Sequence, residues 1–503
     1  MANSAYTRFE WRRTEPGRWE RDIDEVEEFY TALAKAYEGT GRVFFAMTGF
    51  ITFSIPVPPG TSFPDAEKAV EIALRNAWIR LRYNHPTIGS RVQYDPVEKK
   101  YKKVYETFSN SASLRQWADE TVRVVPERMS GLDWCNADPP VPALPTLFLV
   151  KAPTTSDQTF RADLVLRSHH DIIDGMGTLL LFDNLFAAAA EAYEQPGRAL
   201  PEFGDEWMNL SPPLRVAADI PAAMTPERKE HMREFLEHNA QLKKGVEIAS
   251  IPFQQHIVIP GKHQRVAIRV PADTTAKVLE RCRSLGLSIT HAYHAAIAMA
   301  AGDLQDRRET ERTVRYINYS LINERHHCKP PYSTSAHPAS VYHSVSGKSL
   351  AIDLTVPAIG APNRTIIDQE TFLRVAEHVR DYYVDIRDNE EHIKLVSAYW
   401  AIGTLPYPDS ETPAIPPRNE TPSVSISSMG VLDKVIRHRY GDFSVDHPWV
   451  TGEELGTGLG VFLDTWKGIL TLSSAYNDAW HGKEEVLDVL NWCNDTVVRG
   501  LGI

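Results

Sequence analysis

The chain has 503 residues and a formal net charge of −12 at pH 7; 43% of its residues are hydrophobic and 24% are charged. This length is too great for one compact core and predicts two or three domains. The negative charge argues against nucleic acid and anionic membranes as main partners, and four cysteines are too few for a disulfide scaffold.

The apolar runs of the chain bear on its location. The N-terminal residues are charged and contain no apolar signal core, and no apolar run reaches the ~18 residues that a membrane span needs. We therefore expect a cytoplasmic protein with no membrane span.

The first third of the chain predicts alternating strands and helices. Apolar residues alternate over 43–56, which is typical of a strand, and Phe63 to Arg82 is predicted as a helix with acidic residues in its first turn. Two short alternating segments within 92–105 predict a hairpin. Four prolines within 136–146 predict a loop.

The most distinctive part of the sequence is the run 169–175, which reads HHDIIDG. The alternating segment 160–168 before it predicts a strand, and the apolar segment 178–187 after it predicts a helix. The two histidines are therefore expected where a strand ends and a turn begins. A rigid element would hold them there while they project into a cavity.

These residue types in this order suit acid–base chemistry. A neutral His170 can take a proton from a hydroxyl or an amine and return it to a leaving group. Asp174 can fix the loop through an ion pair with an arginine, or orient the imidazole directly. Gly175 would permit a positive φ or a close backbone approach. His169 points to the opposite face from His170 if the backbone is extended.

Two other interpretations were weighed for these residues. A single histidine at a strand end is usually a hydrogen-bonded structural residue, and two histidines with an aspartate can bind a metal. Adjacent ligands on a strand diverge, so the complete run favours catalysis over a metal. The segment His326-His327-Cys328 has no evident spaced partner pair, so it is interpreted as a loop and no metal site is expected.

The rest of the chain echoes the first half without a direct sequence repeat. Residues 195–225 are rich in proline and predict an interdomain linker. The further predicted elements are a charged helix over 227–246, a strand over 265–270, a helix that breaks at Gly286, a helix capped by Ser288, a proline-rich loop over 406–422, a strand over 423–427, a hairpin within 460–473 and a closing helix over 483–499.

The run 169–175 resembles the HHxxxDG signature of the CoA-dependent acyltransferase superfamily. That superfamily includes chloramphenicol acetyltransferase, plant HxxxD acyltransferases and the condensation domains of nonribosomal peptide synthetases. Three further segments resemble other parts of it in the right order, namely 77–91, 282–292 and 319–325.

Within the superfamily the chain resembles fungal trichothecene 15-O-acetyltransferases and related enzymes of secondary metabolism. Residues 11–28, 38–46 and 475–481 carry this narrower resemblance. The segment 441–446 lacks the Gly-Trp-Gly part of the plant-type DFGWG motif, which favours the fungal or condensation-like branches.

The resemblance implies an α+β fold of two chloramphenicol-acetyltransferase-like subdomains, each a mixed β-sheet flanked by helices, with the active-site tunnel between them. The expected division is an N-terminal subdomain over 1–205 that carries HHxxxDG, a linker and helix over 206–250, and a C-terminal subdomain over 251–503. The implied activity is acyl-CoA-dependent O-acyl transfer. Its expected acceptor is a hydroxyl of a fungal secondary metabolite, such as a trichothecene 15-hydroxyl or a similar terpenoid alcohol.

The same resemblance implies the partners of the reaction. Acetyl-CoA is expected as co-substrate, with no tightly bound cofactor, and the alcohol and the acyl-CoA as the only partners of a monomer. Two alternatives stay open: a free-standing condensation-type enzyme that uses a carrier-protein thioester, and a non-catalytic member of the fold.

The implied mechanism is direct transfer with no covalent enzyme intermediate. His170 acts as the general base, and Asp174 pairs with an arginine, either Arg325 or Arg91, with Arg80 and Arg82 as further candidates. The remaining roles have only candidates. For oxyanion or substrate contacts these are Ser425, Ser427, Ser428 and Asn477, and for the CoA phosphates they are Arg437 and Arg439.

Overall fold

The computed structural model describes residues 6–153, 158–361, 369–407 and 415–503. The helices in these ranges are α1 (Glu25–Ala36), α2 (Phe63–Asn84), α3 (Ser111–Thr121), α4 (Gly131–Asn136), α5 (Gly175–Glu194), α6 (Leu214–Ala217), α7 (Pro226–Gln241), α8 (Ala272–Ser284), α9 (Ile289–Asp303), α10 (Gln369–Arg387), α11 (His392–Gly403) and α12 (Lys483–Gly500). The strands are β1 (Arg12–Glu15), β2 (Arg18–Asp22), β3 (Met47–Pro56), β4 (Ser90–Asp95), β5 (Lys100–Glu106), β6 (Val122–Val124), β7 (Thr146–Lys151), β8 (Thr159–Ser168), β9 (Glu247–Ile248), β10 (His263–Val270), β11 (Arg312–Asn318), β12 (Leu321–Asn323), β13 (His343–Val345), β14 (Leu350–Val356), β15 (Val424–Val431), β16 (Arg439–Tyr440), β17 (Phe443–Gly452), β18 (Leu459–Trp466) and β19 (Ile469–Asn477).

Most of the predicted elements lie at or near their predicted positions. Helix α2 begins after Ser62, whose hydroxyl accepts a hydrogen bond from the Asp65 amide, as an N-cap should. Strands β4 and β5 form the expected hairpin, and so do β18 and β19. The first predicted strand begins only at Met47, because Phe45 just before it has φ +60°, a left-handed backbone that departs from regular strand geometry.

The predicted linker and the charged helix after it differ in part from the expectation. Part of the proline-rich segment 195–225 packs tightly, since Glu206, Leu210 and Leu214 are buried, so it is not a loose linker. The charged helix expected to reach residue 246 ends at Gln241. Of the loop expected over 406–422, residues 408–414 lie outside the described residues.

The strands of the described chain assemble into one sheet of six strands, two of four strands, one of three and one of two. The larger sheet, with six strands, has the order β16-β17-β3-β8-β7-β6, and one of the four-stranded sheets has the order β10-β19-β18-β15. Each contains both parallel and antiparallel pairs, and helices pack on both. The α+β class with mixed sheets flanked by helices is thereby confirmed.

The larger sheet is not built from the first half of the chain alone. Strand β17 runs antiparallel beside the central strand β3, with Val450 opposite Gly49. A segment from the second half thus completes the sheet of the first, and crosses the division expected at residue 251. Strand β9, expected within the linker, pairs instead with β11 of the second half.

Each half has its own apolar core. In the first half, α2 and α5 cover the sheet with Trp78, Phe182 and Leu185, all fully buried. In the second half, the alanine-rich helix α9 is buried on nearly all sides between α10, α12 and the sheet. A helix that is apolar all round needs such cover, because it has no polar face to offer to water.

The two halves also meet through polar contacts. The Asn136 side chain accepts a hydrogen bond from the Arg265 amide (2.9 Å) and donates one to its carbonyl (3.1 Å), as a neighbouring strand would. Asp138 accepts a hydrogen bond from the His263 amide (3.0 Å). None of the described helices is long and apolar enough to cross a membrane.

Candidate active site

The HHxxxDG run occupies the turn between β8 and α5. Strand β8 ends at Ser168, the two histidines follow, and Asp174 is the N-cap of α5. The Asp174 carboxylate accepts a hydrogen bond from the Gly177 amide at 2.7 Å. An acidic N-cap satisfies a free amide and places negative charge at the positive end of the helix dipole.

Asp174 is buried and has strong partners. Its Oδ2 accepts hydrogen bonds from Arg325 Nη1 at 2.9 Å and from the Tyr342 amide at 2.8 Å. Burial alone would raise the pKa of this carboxyl, but the Arg325 guanidinium and His343 outweigh burial and hold the pKa well below its usual range. The carboxylate is therefore ionised at neutral pH and fastens three segments together.

Local structure explains how Arg325 reaches this point. Strands β12 and β13 pair with Asn323 opposite His343, and a short 3-10 turn then carries Arg325 back towards α5. The approach needs a glycine at 177, where a β-carbon would lie 2.2 Å from the Pro338 carbonyl oxygen and 2.9 Å from Arg325 Nη2.

His170 lies beside Asp174 in a dry environment. Burial lowers the pKa of the imidazole to about 3, with a further lowering from His343, although Asp174 acts in the opposite direction. Its Nδ1 is buried and has no hydrogen-bond partner in other described residues, whereas Nε2 is not one of the atoms that are buried without a partner. The ring is thus neutral at neutral pH and has one nitrogen available to a substrate.

Two residues that sequence reasoning missed complete the surroundings of His170. The ring of Tyr30 stacks on the imidazole with centroids 3.8 Å apart and planes 8° from parallel. The Tyr30 hydroxyl lies 2.8 Å from His343 Nε2, and His343 Nδ1 lies 3.8 Å from Asp174 Oδ2. No local spacing links these residues to the run at 169–175, so no pattern in the sequence indicates them.

Helix α1, which carries Tyr30, also holds the middle of the turn. The Thr31 hydroxyl donates to Asp171 Oδ2 at 3.0 Å. Lys103 donates to the Asp171 carbonyl at 2.5 Å and pairs with the buried carboxylate of Glu27. The turn is therefore fixed by contacts at Asp171 as well as at Asp174.

Only one of the two arginines expected at Asp174 lies there. Arg91 instead pairs with Glu106 at 3.0 Å on the hairpin of β4 and β5, so the expectation for Arg91 is corrected. Arg80 donates to the Ala199 carbonyl. Arg82 donates to the Pro86 and Glu106 carbonyls and contacts several aromatic rings.

The remaining residues of the run have lesser roles. Gly175 does not have the positive φ considered for it. A β-carbon there would lie 3.3 Å from Val450 and 3.4 Å from Met429, which is a close approach. His169 is half-buried, and its carbonyl accepts a hydrogen bond from the Ser168 hydroxyl.

The serine candidates lie on β15 and differ in their contacts. Ser425 and Ser427 are half-buried on one face of the strand, and the Ser427 hydroxyl contacts the sulfur of Met429 at 3.7 Å. Since Met429 also reaches Gly175, this face lies close to the HHxxxDG turn. Ser428 is exposed, and its hydroxyl is hydrogen-bonded to Thr290 at 2.8 Å.

The proposed role of Asn477 in substrate or oxyanion contact does not fit the structure. The side chain is fully buried. Its carbonyl oxygen accepts hydrogen bonds from the amides of Gly261 and Ala479, and its amide nitrogen donates to the carbonyls of Gly261 and Glu454. All of its hydrogen-bonding capacity is used in holding loops, so Asn477 is a structural residue.

The two arginines suggested for CoA phosphates are exposed. Arg437 lies 3.3 Å from Asp183 and over the ring of Tyr440, and Arg439 donates to the Gly441 carbonyl at 2.8 Å. These contacts neither occupy the guanidinium groups fully nor direct them to a common point.

Two further side chains have the character of a channel wall. Burial raises the pKa of Tyr319, although 42% of its surface is accessible. Burial also raises the pKa of Glu454 to about 7, although this residue too is only half-buried. Groups that are partly accessible and yet strongly desolvated are expected to line an internal space, and the charge of Glu454 also acts on Tyr319.

One group of residues has the composition of a metal site. Glu324, His326 and His327 each place a ligand atom within 4.8 Å of the others. Glu324 is buried and lies two residues before His326. Cys328 is not part of the group, because its thiol is buried against the Glu324 carbonyl. Within the described residues no such group includes His170.

Comparison with solved structures identifies known proteins with the same fold. The fold matches trichothecene 15-O-acetyltransferase from Fusarium sporotrichioides with a TM-score of 0.76, covering 97% of this chain and 98% of that chain at 18% identity. It also matches the first condensation domain of the calcium-dependent antibiotic synthetase with a TM-score of 0.60, covering 96% and 95% at 14% identity. At these identities the two matches show that the chain has the same fold, in which its HHxxxDG turn lies between β8 and α5.

Sequence comparison identifies the family of the chain. A family model described as 15-O-acetyltransferase Tri3 matches residues 66–345, which is more than half of the chain. The chain therefore belongs to this family and is an O-acetyltransferase. It is also similar to the O-acetyltransferase pigM of Monascus ruber, with 26% identity over 95% of this chain and 85% of that protein.

Proposed function

We propose that this protein transfers the acetyl group of acetyl-CoA to a hydroxyl of a fungal secondary metabolite, such as the 15-hydroxyl of a trichothecene or of a similar terpenoid alcohol. The observation that carries the proposal is His170 at the HHxxxDG turn. Burial keeps its imidazole neutral, its Nε2 is not buried without a partner as Nδ1 is, and the neighbouring Asp174 is bound to Arg325. The family supports acetyl transfer, and the description of its model supports this type of acceptor.

The chemistry proceeds in a single transfer. Nε2 of His170 takes the proton of the acceptor hydroxyl as its oxygen attacks the thioester carbonyl, and a C–O bond forms. The C–S bond then breaks, and the CoA thiolate leaves with the proton that His170 returns. General-base catalysis typically increases the reaction rate ~10²–10⁴-fold. Positioning of the substrates and stabilisation of the oxyanion must supply the rest of the rate enhancement.

Asp174 has a structural part in this mechanism. Its carboxylate is saturated by Arg325, Tyr342 and Gly177, so it is not available to accept the substrate proton. It fixes the turn that presents His170. The acceptor alcohol and the acetyl-CoA would approach Nε2 of His170 through an internal space that Tyr319 and Glu454 help to line.

The test is release of free thiol from acetyl-CoA with a panel of alcohols that includes a trichothecene 15-hydroxyl. We expect acceptor-dependent release that His170→Ala abolishes while the melting temperature stays within a few degrees. Full activity of His170→Ala would overturn the mechanism.

A second arm replaces acetyl-CoA with an acetyl thioester on a carrier protein. Transfer only from the carrier would favour the condensation-type alternative. Transfer from neither donor to any alcohol of the panel would favour a non-catalytic role.

A further inference from the structure

We propose that Tyr30 and His343 are positioning residues for His170, which hold its imidazole between an aromatic platform and a chain of contacts that runs from the Tyr30 hydroxyl through His343 towards Asp174. The inference rests on the proposed function, because it concerns the base of that reaction. Neither residue belongs to the HHxxxDG run.

The platform is the ring of Tyr30. It lies parallel to the imidazole at a centroid distance of 3.8 Å, and its other neighbours are Phe29, Phe45 and Trp400. Because these rings surround Tyr30, its ring cannot turn away from His170 without disturbing the aromatic cluster. The imidazole is therefore held in one plane.

The chain begins at the Tyr30 hydroxyl. Burial raises the pKa of this phenol well above its usual value, so it keeps its proton, and its oxygen lies within hydrogen-bond distance of His343 Nε2 at 2.8 Å. His343 Nδ1 is buried and lies 3.8 Å from Asp174 Oδ2, which is too far for a hydrogen bond but close enough for an electrostatic contact. The carboxylate that caps α5 thus acts on the ring that is hydrogen-bonded to the platform.

This arrangement affects both protonation states of the base. In the resting enzyme, burial under Tyr30 and the nearby His343 disfavour a charged His170. During transfer, the imidazolium that forms lies over the face of the Tyr30 ring, where an aromatic quadrupole attracts a cation. The same contact thus keeps the resting imidazole uncharged and stabilises the imidazolium that forms during transfer.

The groups that face His170 come from three elements. Tyr30 lies on α1, His343 begins β13, and Asp174 ends the turn itself; beyond them, Arg325 binds Asp174 and Tyr319 acts on Tyr30. His343 and Asp174 act directly on the charge of His170, whereas replacements at Tyr30 change its solvation without changing the formal charge.

The experiment compares Tyr30→Leu, Tyr30→Phe and His343→Gln in the full chain, with Tyr83→Phe as control. Tyr83 donates its hydroxyl to Asp205 at the surface, so the control loses an equivalent hydrogen bond elsewhere. The readouts are kcat and KM for acetyl-CoA, the acid limb of the pH profile of kcat/KM, and the titration of the His170 ring by NMR of histidine labelled at Cε1.

We expect Tyr30→Leu to lower kcat by at least ~10-fold, since small misplacement of a reacting group is costly, with KM changed by less than about 3-fold. Its acid limb and its NMR titration should move up, towards the ordinary histidine value of about 6.5. Tyr30→Phe should keep the platform and the acid limb and lose only severalfold in kcat. Tyr83→Phe should behave as the wild type.

Tyr30→Phe removes the hydrogen bond and His343→Gln removes the ring that makes it, so their double variant should be no slower than the slower single variant. Independent, multiplicative losses would overturn the chain, and an unmoved acid limb in folded Tyr30→Leu would overturn the platform. The phenylalanine and glutamine variants keep the test decisive if the leucine variant does not fold. The NMR titration needs no substrate, so it distinguishes failure of this inference from failure of the proposed reaction.

Discussion

At the scale of single residues, Asp174 has the largest expected effect on stability. Replacing it with asparagine removes the charge that compensates the buried Arg325, and breaking a buried pair in this way costs about 3–5 kcal/mol. We expect Asp174→Asn to lower both the melting temperature and the activity at pH 7. An unchanged melting temperature would contradict a structural ion pair.

The pH dependence of this effect follows from the lowered pKa of Asp174. An aspartate ionises near pH 3.9 in the unfolded chain, so the ion pair stabilises the fold fully above that pH. Its contribution is lost as the pH falls further, towards the lower folded-state pKa. The difference in melting temperature between the wild type and Asp174→Asn should therefore be constant from pH 8 to 5 and should narrow below pH 4.

A second residue-scale prediction concerns the oxyanion. Among the serines of β15, Ser427 contacts Met429, which reaches the HHxxxDG turn, whereas the Ser428 hydroxyl is already bound to Thr290. If Ser427 is the donor, Ser427→Ala should lower kcat by ~10²-fold or more. Ser428→Ala is the matched control and should lose little. Equal effects of the two changes would remove Ser427 from this role.

The sequence revealed the base of the site but not its supports. The run 169–175 is local, so its spacing and flanking patterns alone placed His170 and Asp174 between β8 and α5. Tyr30 and His343 are 313 positions apart, and no periodicity connects residues that only the tertiary fold brings together. Asn477 failed as a candidate for a related reason, since only the structure shows that its amide is fully hydrogen-bonded.

At the scale of elements, the start of α5 depends on a glycine that the family motif does not include. A β-carbon at Gly177 would lie 2.2 Å from the Pro338 carbonyl oxygen, which is backbone and cannot rotate away. We expect Gly177→Ala to push the Arg325 segment from Asp174 and to lower both the melting temperature and kcat. Gly197→Ala is the control, because nothing lies within 4 Å of a β-carbon at that position. Equal melting temperatures for the two variants would contradict the close approach.

The predictability of elements followed the strength of their local patterns. Helix α2 and strand β8 were predicted because acidic residues in a first helical turn and an alternation of apolar and polar residues are local signals. The left-handed backbone at Phe45 delays β3, and the sequence gives no warning of it because phenylalanine rarely adopts that backbone. Strand β9 has only two residues, so its pairing with β11 leaves no recognisable pattern.

At the scale of the whole molecule, the joint between the halves can be tested at Asn136. Its amide makes both backbone hydrogen bonds to Arg265 on β10, and a hydrogen bond contributes about 1 kcal/mol net. Asn136→Ala should lower the stability by about 2 kcal/mol and reduce the melting temperature. Gln116→Ala, on the exposed face of α3, should change it little. A wild-type melting temperature for Asn136→Ala would show that the joint depends on other contacts.

The cytoplasmic location and the monomeric state stay predictions at this scale. The sequence predicted an α+β molecule of two related halves correctly. It did not predict that the halves share a sheet, because the pairing of β17 with β3 joins segments about 400 residues apart, and short-range patterns contain no information on such a partner.

That shared sheet has a consequence for synthesis on the ribosome. The edge of β3 that pairs with β17 stays uncovered until residue 452 has left the ribosome. The first half therefore has an unpaired strand edge while most of the second half is translated. Unpaired edges are prone to non-native pairing and aggregation. We therefore expect residues 1–250 produced alone to be insoluble, and co-production with residues 251–503 to restore soluble protein. A soluble, folded first half on its own would show that β17 is dispensable for that sheet.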